Sequence, residues 1–206
     1  ELSNPFKGLF VDKSIRPKKR MPVPLKDLQR VQQQCWHTDD DLRWVVAAIS
    51  DTGCRMAEIV GLSKADIRLD ADIPHISIRP RPWRRLKTVS SERDIPLVGS
   101  ALWGITRAYQ STNSEMLFPR YNDGVSTNSN SASAALSKWL KQQTNPDCTM
   151  HSFRHSFRDR LRAVECPIEL TDALGGWSTD GIGAAYGQGY SLQLKQKWLS
   201  AIVLTP

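Results

Sequence analysis

The sequence predicts a mainly helical α+β fold carrying one small antiparallel sheet, and two observations support that expectation. Apolar residues recur at helical spacing, as at Leu42, Val45, Val46 and Ile49. The period then changes to two in His75-Ile-Ser-Ile-Arg79 and in Arg93-Asp-Ile-Pro-Leu97, which read as short strands. A chain of 206 residues fits one domain and can bury a sizeable core.

In chain order, residues 1–24 are polar, broken by Pro5, Pro17, Pro22 and Pro24, and rich in Lys13, Arg16, Lys18, Lys19 and Arg20. They read as a linker or charged arm. Pro24 opens a first helix through Val31. Thr38 caps a second, with Asp39, Asp40 and Asp41 in its first turn and Gly53 as its stop. Arg55 follows at the mouth of a short helix to Leu62. Lys87 lies between the two strands, in or beside a hairpin among Arg79, Arg81, Arg84 and Arg85. Ser100 caps a helix to about Gln110, and residues 119–130 are loop-like. Helices are expected over 133–142 and 151–164, and Pro167 opens another that ends near Gly175-Gly176. The glycine-rich 181–189 segment holds Tyr186 and reads as mobile. Residues 191–203 close the chain as an amphipathic helix with Leu192, Leu194, Trp198, Leu199 and Ile202.

Composition narrows the function classes. There are 28 Lys+Arg against 21 Asp+Glu, a net charge of +7. That surplus suits a polyanionic partner, and equally describes a solvated basic surface. No apolar run approaches the roughly 20 residues needed to span a bilayer, and no secretory signal pattern is present. Cys35, Cys54, Cys148 and Cys166 are scattered without a C-x-x-C pair, which argues against structural zinc and for reduced thiols in the cytosol.

The residues with chemical potential sit in separate segments. Arginine offers a planar fork of donors that stays charged, so Arg55 and Arg154 could clamp the nonbridging oxygens of a phosphodiester. Each taken alone reads first as a structural ion-pair partner, with Glu58 the obvious mate for Arg55. A tyrosine phenol, with a free pKa of about 10, needs such a cationic field before it attacks phosphorus. Tyr186 is the candidate, and Tyr190 competes with it. The Asp39-Asp40-Asp41 run raises a metal-dependent nuclease, although helix capping also accounts for it.

Four boxes in order resemble the catalytic domain of the tyrosine recombinases, the phage-type integrases, over about residues 20–200. Gly53-Cys-Arg55-Met-Ala-Glu58 is similar to the first-arginine box. Lys87, followed by Arg93-Asp-Ile-Pro-Leu97, is similar to the hairpin lysine and its strand. His151-Ser-Phe-Arg154-His155 is similar to the H-x-x-R-H box, and Gly175-Gly-Trp177 with Ala185-Tyr186 to the final box. The resemblance implies the tyrosine-recombinase fold and roles for six residues. Tyr186 would form a 3′-phosphotyrosyl link, Lys87 would protonate the leaving 5′ oxygen, and Arg55 and Arg154 would hold the phosphate. His151 would hydrogen-bond a nonbridging oxygen or assist proton transfer. Trp177 stands where many members have histidine, and its indole N–H donates a hydrogen bond without shuttling a proton. His155 would support the site.

Further expectations follow from the resemblance. Residues 1–20 would be a remnant of the linker to an absent N-terminal DNA-binding domain, and 21–206 the catalytic domain. The chain begins at Glu1, as an excised fragment would. The partner would be double-stranded DNA, with no metal, ATP or other cofactor. Assembly would be a tetramer on DNA through the C-terminal helix, which packs either on its own core or on a neighbour. The setting would be cytoplasmic, bacterial or phage-encoded. The alternative is a catalytically silent DNA-binding regulator on the same fold.

Overall fold

A computed structural model describes residues 21–178 and 189–204. Eight α-helices and three strands are present among them: α1 (Leu25–Thr38), α2 (Asp41–Thr52), α3 (Met56–Val60), β1 (Ile67–Arg68), β2 (His75–Ile78), β3 (Arg93–Pro96), α4 (Gly99–Ser111), α5 (Ser129–Gln143), α6 (Ser152–Ala163), α7 (Ile168–Gly175) and α8 (Leu192–Ala201). The strands form one antiparallel sheet in the order β1-β2-β3. Ile67 pairs with Ile76, and Ile76 with Ile95, so isoleucines stack across one face.

Helix α2 is the centre of the bundle. Its residues from Val45 to Thr52 are all buried, against α1, α4 and α6. Helix α4 reaches it closely at Gly104, where a Cβ would stand 2.8 Å from the Trp44 carbonyl oxygen. Gly53 ends α2 in the left-handed region at φ 61°, and a Cβ there would run into the Phe157 ring of α6. This glycine both stops the helix and lets α6 close over it.

Three local expectations are corrected. Helix α1 runs on to Thr38 instead of ending near Val31, because Leu28, Val31, Gln32 and Cys35 make one continuous buried stripe. Thr38 is therefore the last residue of α1. Asp40 is the cap of α2, its carboxylate accepting from the Arg43 N–H at 2.9 Å. Ser100 is not a cap either. Its N–H donates to Asp51 Oδ2 at 2.9 Å, so α2 supplies the cap for α4 across the core.

Helix α8 docks on its own chain. Leu199 and Ile202 are buried, Lys195 Nζ donates to the Asp94 carbonyl of β3 at 2.9 Å, and Arg160 Nη1 donates to the Ile202 carbonyl at 2.9 Å. Arg160 is also paired with Asp51 at 2.9 Å. Among the described residues, no helix is long and apolar enough to cross a membrane.

Candidate active site

The end of α7 organises the site. A helix C-terminus leaves carbonyls without intrahelical partners and carries partial negative charge. Here three successive carbonyls each receive a different guanidinium. Arg93 Nε donates to Leu174 O at 2.9 Å, Arg154 Nη2 to Gly175 O at 2.9 Å, and Arg55 Nη2 to Gly176 O at 3.3 Å. The arginines come from β3, α6 and the N-cap of α3. Gly176 adopts φ 63°, and a Cβ on it would lie 2.6 Å from Arg93 Nη1.

Arg55 and Arg154 thus meet, as the sequence boxes require, from segments about a hundred residues apart. Arg55 also donates to Ser91 Oγ at 3.0 Å and pairs with Glu58 Oε1 at 2.5 Å. The ion pair with Glu58 and the convergence with Arg154 coexist, so the two readings of Arg55 do not compete. Arg154 is 3% exposed and donates a second bond to the Gly53 carbonyl. Burial pulls it down to about 10, with Glu58 opposing that fall and Arg55 adding to it. It remains a cation at neutral pH.

Trp177 covers Arg154. Its ring lies 4.9 Å from the Arg154 Cζ and 4.8 Å from the Arg158 Cζ, a double cation–π contact. Arg158 is in turn paired with Asp172 at 2.9 Å. The indole sits so close over Gly175 that a Cβ there would overlap it. The glycine preceding the Gly176 turn is therefore a steric requirement of the tryptophan.

Lys87 is exposed in the β2–β3 connection and shares with Arg55 a pocket of about 390 Å³, lined also by Ala57, Glu58, Arg85 and Leu86. His151 occupies the N-cap of α6, exposed, one turn before Arg154 and edge-on to His155 with ring centroids 5.3 Å apart. Tyr186 lies outside the described residues. Its rival Tyr190 is described: its hydroxyl donates to Glu169 Oε2 at 3.1 Å. Burial and that carboxylate push its phenol pKa up.

Each member of the acidic run has a structural partner. Asp39 accepts from Trp44 Nε1 at 2.7 Å and pairs with Arg107 at 2.7 Å, Asp40 caps α2, and Asp41 accepts from the Leu42 N–H at 2.8 Å.

Sequence reasoning missed Arg93 as part of the site. Its guanidinium is buried and donates to Ser91 O at 2.6 Å, Glu58 Oε2 at 2.9 Å and Cys54 Sγ at 3.4 Å. The signal was available: in Arg93-Asp-Ile-Pro the arginine shares the inward face with Ile95.

Glu58 has a measurable consequence. Burial alone would raise its carboxyl, but the Arg93 charge and hydrogen bond and the Arg55 N–H outweigh it and hold the pKa at about 2, against an ordinary 4.5. The folded protein thus binds this proton more weakly than the unfolded chain. The stability it lends is fully present above about pH 4.5 and is lost as pH falls through about 2. The gap corresponds to about 3 kcal/mol. Denaturant titrations from pH 5 to pH 2 should therefore show a steeper loss for the wild type than for Glu58→Gln; parallel curves would contradict it.

The sequence profile described as the phage integrase family matches residues 26–190. The chain belongs to the phage integrase family. Among solved structures, this integrase-family chain is similar to the XerA recombinase, with a TM-score of 0.60 and 16% identity over 90% of this chain and 61% of that one. It is also similar to the Tn1549 transposon integrase in complex with transposon right end DNA, with a TM-score of 0.59 and 15% identity over 91% of this chain and 63% of that one. A third likeness is to the XerH recombinase bound to difH substrate, with a TM-score of 0.55 and 16% identity over 89% and 55%. At these identities the likeness is one of fold, and it is the tyrosine-recombinase catalytic-domain fold the boxes imply. The chain spans 61% and 63% of the length of the first two of these structures. No curated protein matches the sequence.

Proposed function

We propose that this chain is the catalytic domain of a site-specific DNA recombinase that cuts and rejoins strands through a 3′-phosphotyrosyl intermediate on Tyr186, without metal or ATP. The observation that carries this reading is the meeting of Arg55 and Arg154 on the adjacent carbonyls of Gly175 and Gly176, with Lys87 in the same pocket as Arg55. Carbonyl oxygens are weak, neutral acceptors. A phosphodiester brings a full negative charge to the same donors and forms the stronger, charge-assisted bonds.

In the proposed step the Tyr186 oxygen bonds to phosphorus, the phenol proton passes to solvent, and the bond from phosphorus to the 5′ oxygen breaks. The Lys87 ammonium gives that oxygen its proton. Arg55 and Arg154 hold the nonbridging oxygens throughout. His151 and the Trp177 N–H are further donors to the phosphate. The product ester retains the energy of the broken bond, so a second 5′ hydroxyl can reverse the step.

The partner is double-stranded DNA, which the net charge of +7 favours. Residues 1–20, outside the described part, are proposed as a linker from a further DNA-binding domain, with 21–206 as the catalytic unit. A tetramer on DNA completes the proposal, as does a cytoplasmic setting in a bacterium or phage-infected cell.

The experiment is covalent capture. The protein is incubated, in excess chelator, with a pool of nicked duplexes carrying a randomised core, and denaturing gels are read for protein–DNA adducts. Adducts resistant to chelator are expected. Binding without any adduct would instead favour the catalytically silent regulator, and adducts lost in chelator would remove the metal-free mechanism.

A further inference from the structure

Arg84 stands at the foot of the connection that carries Lys87. From sequence it is one of several cations in a basic hairpin. In the fold it heads the fully buried side chains by size, at 1% exposure. Burial of a guanidinium is costly unless its donors find acceptors, so its partners indicate its task.

Those partners all belong to one joint. Arg84 Nη1 donates to the Gly61 carbonyl at 3.0 Å, and Nη2 lies 3.2 Å from Asp66 Oδ2. Nε and Nη2 donate to the Arg79 carbonyl at 3.2 and 2.8 Å. The backbones of Arg81 and Arg84 exchange two hydrogen bonds, each 3.0 Å, and Trp83 Nε1 adds a second bond to the Gly61 carbonyl at 3.0 Å. Asp66 is fixed by the Ser63 N–H at 3.1 Å and by Arg81 at 2.5 Å. Gly61 leaves room for this: a Cβ there would stand 2.8 Å from Arg84 Cδ.

Gly61 is the C-cap of α3, and Arg55 is the N-cap of the same five-residue helix. Arg84 therefore ties the hairpin strap to one end of α3 while Arg55 stands at the other. Arg85, Leu86 and Lys87 follow Arg84 directly and line the Arg55 pocket. Beyond them the connection is exposed, with Val89 at 89%. Arg84 is the last fully buried anchor before Lys87.

We propose that Arg84 is a positioning residue that fixes the Lys87 ammonium relative to the Arg55 phosphate clamp, so that Lys87 reaches the departing 5′ oxygen. This rests on the recombinase reading above. In the step concerned, the bond from phosphorus to the 5′ oxygen breaks as the Tyr186 oxygen bonds to phosphorus, and the proton moves from Lys87 Nζ to that oxygen. Proton transfer of this kind contributes about 10²- to 10⁴-fold, and a displacement of about 1 Å costs about 10²-fold.

The test uses a leaving group that needs no proton. A duplex captured by the wild type is resynthesised with sulfur in place of the scissile 5′ oxygen. A thiolate leaves unprotonated, since a thiol has a pKa of about 8.5. Arg84→Lys keeps the charge and loses the fork. It is expected to slow adduct formation on the oxygen duplex about 10²-fold and on the sulfur duplex less than about threefold. Asp66→Asn, which removes the charge holding Arg84, carries the same expectation and serves if Arg84→Lys does not fold, as read from its circular dichroism melt. Equal slowing on both duplexes, or slowing on neither, would overturn the proposal. A wild type that captures no duplex from the randomised pool would sink the recombinase reading itself, a result distinct from a selective or non-selective effect of the variants.

Discussion

Tyr186→Phe is expected to reduce covalent DNA capture to background while changing DNA affinity by no more than about twofold, because affinity for DNA comes chiefly from cationic contacts to its backbone. The substitution removes one oxygen and leaves Arg55, Arg154 and Lys87 untouched. Tyr190 is the natural control. Its hydroxyl is engaged by Glu169 and its pKa is pushed up by burial and by that carboxylate, so it is a poor source of phenolate. Tyr190→Phe should therefore retain capture. The reverse pattern, with adducts surviving Tyr186→Phe and lost in Tyr190→Phe, would move the nucleophile to Tyr190.

Arg93→Met should be the most destabilising single change in the site. It removes the more deeply buried of the two cationic partners of Glu58, which is itself 3% exposed, and leaves the Leu174 carbonyl without its donor. Breaking a buried ion pair from one side costs about 3–5 kcal/mol. For a chain of this size that is a fall of roughly 6–20 °C in the melting temperature. Replacing both charges, as Arg93→Met with Glu58→Leu, should recover much of the stability, since no uncompensated carboxylate remains. Capture should stay low in the double variant, because Glu58 also holds Arg55 through Nη1 and through the backbone N–H at 2.9 Å. Calorimetry and the capture assay on the same samples check both halves. A single variant melting within about 2 °C of the wild type would show that Glu58 is satisfied without Arg93.

The sequence carried the layout of the fold and the principal arginines, for reasons that particular elements make plain. Strands β2 and β3 were legible because alternation is a local property, and Gly53 was legible because a glycine after an apolar helical stripe is a stop. The cap of α2 was misread because Thr38, Asp39 and Asp40 are all competent caps. The choice among them depends on how far α1 extends, which its buried stripe decides. Arg84 and Arg93 were hidden for a different reason. An arginine reads as a surface residue unless its acceptors are known, and those of Arg93 lie at Glu58, 35 positions away, and at Leu174, 81 positions away. Only the closed fold brings these groups within bonding distance.

The last turn of α7 is bound by three side chains from three different elements. An ordinary helix end frays on its own, at little cost to the rest of the molecule. This one does not have that freedom: unwinding it would unseat Arg93, Arg154 and Arg55 together. Loss of local order at one helix tip and dismantling of the whole cationic cluster are thus a single cooperative event, which gives a short helix the leverage of a keystone.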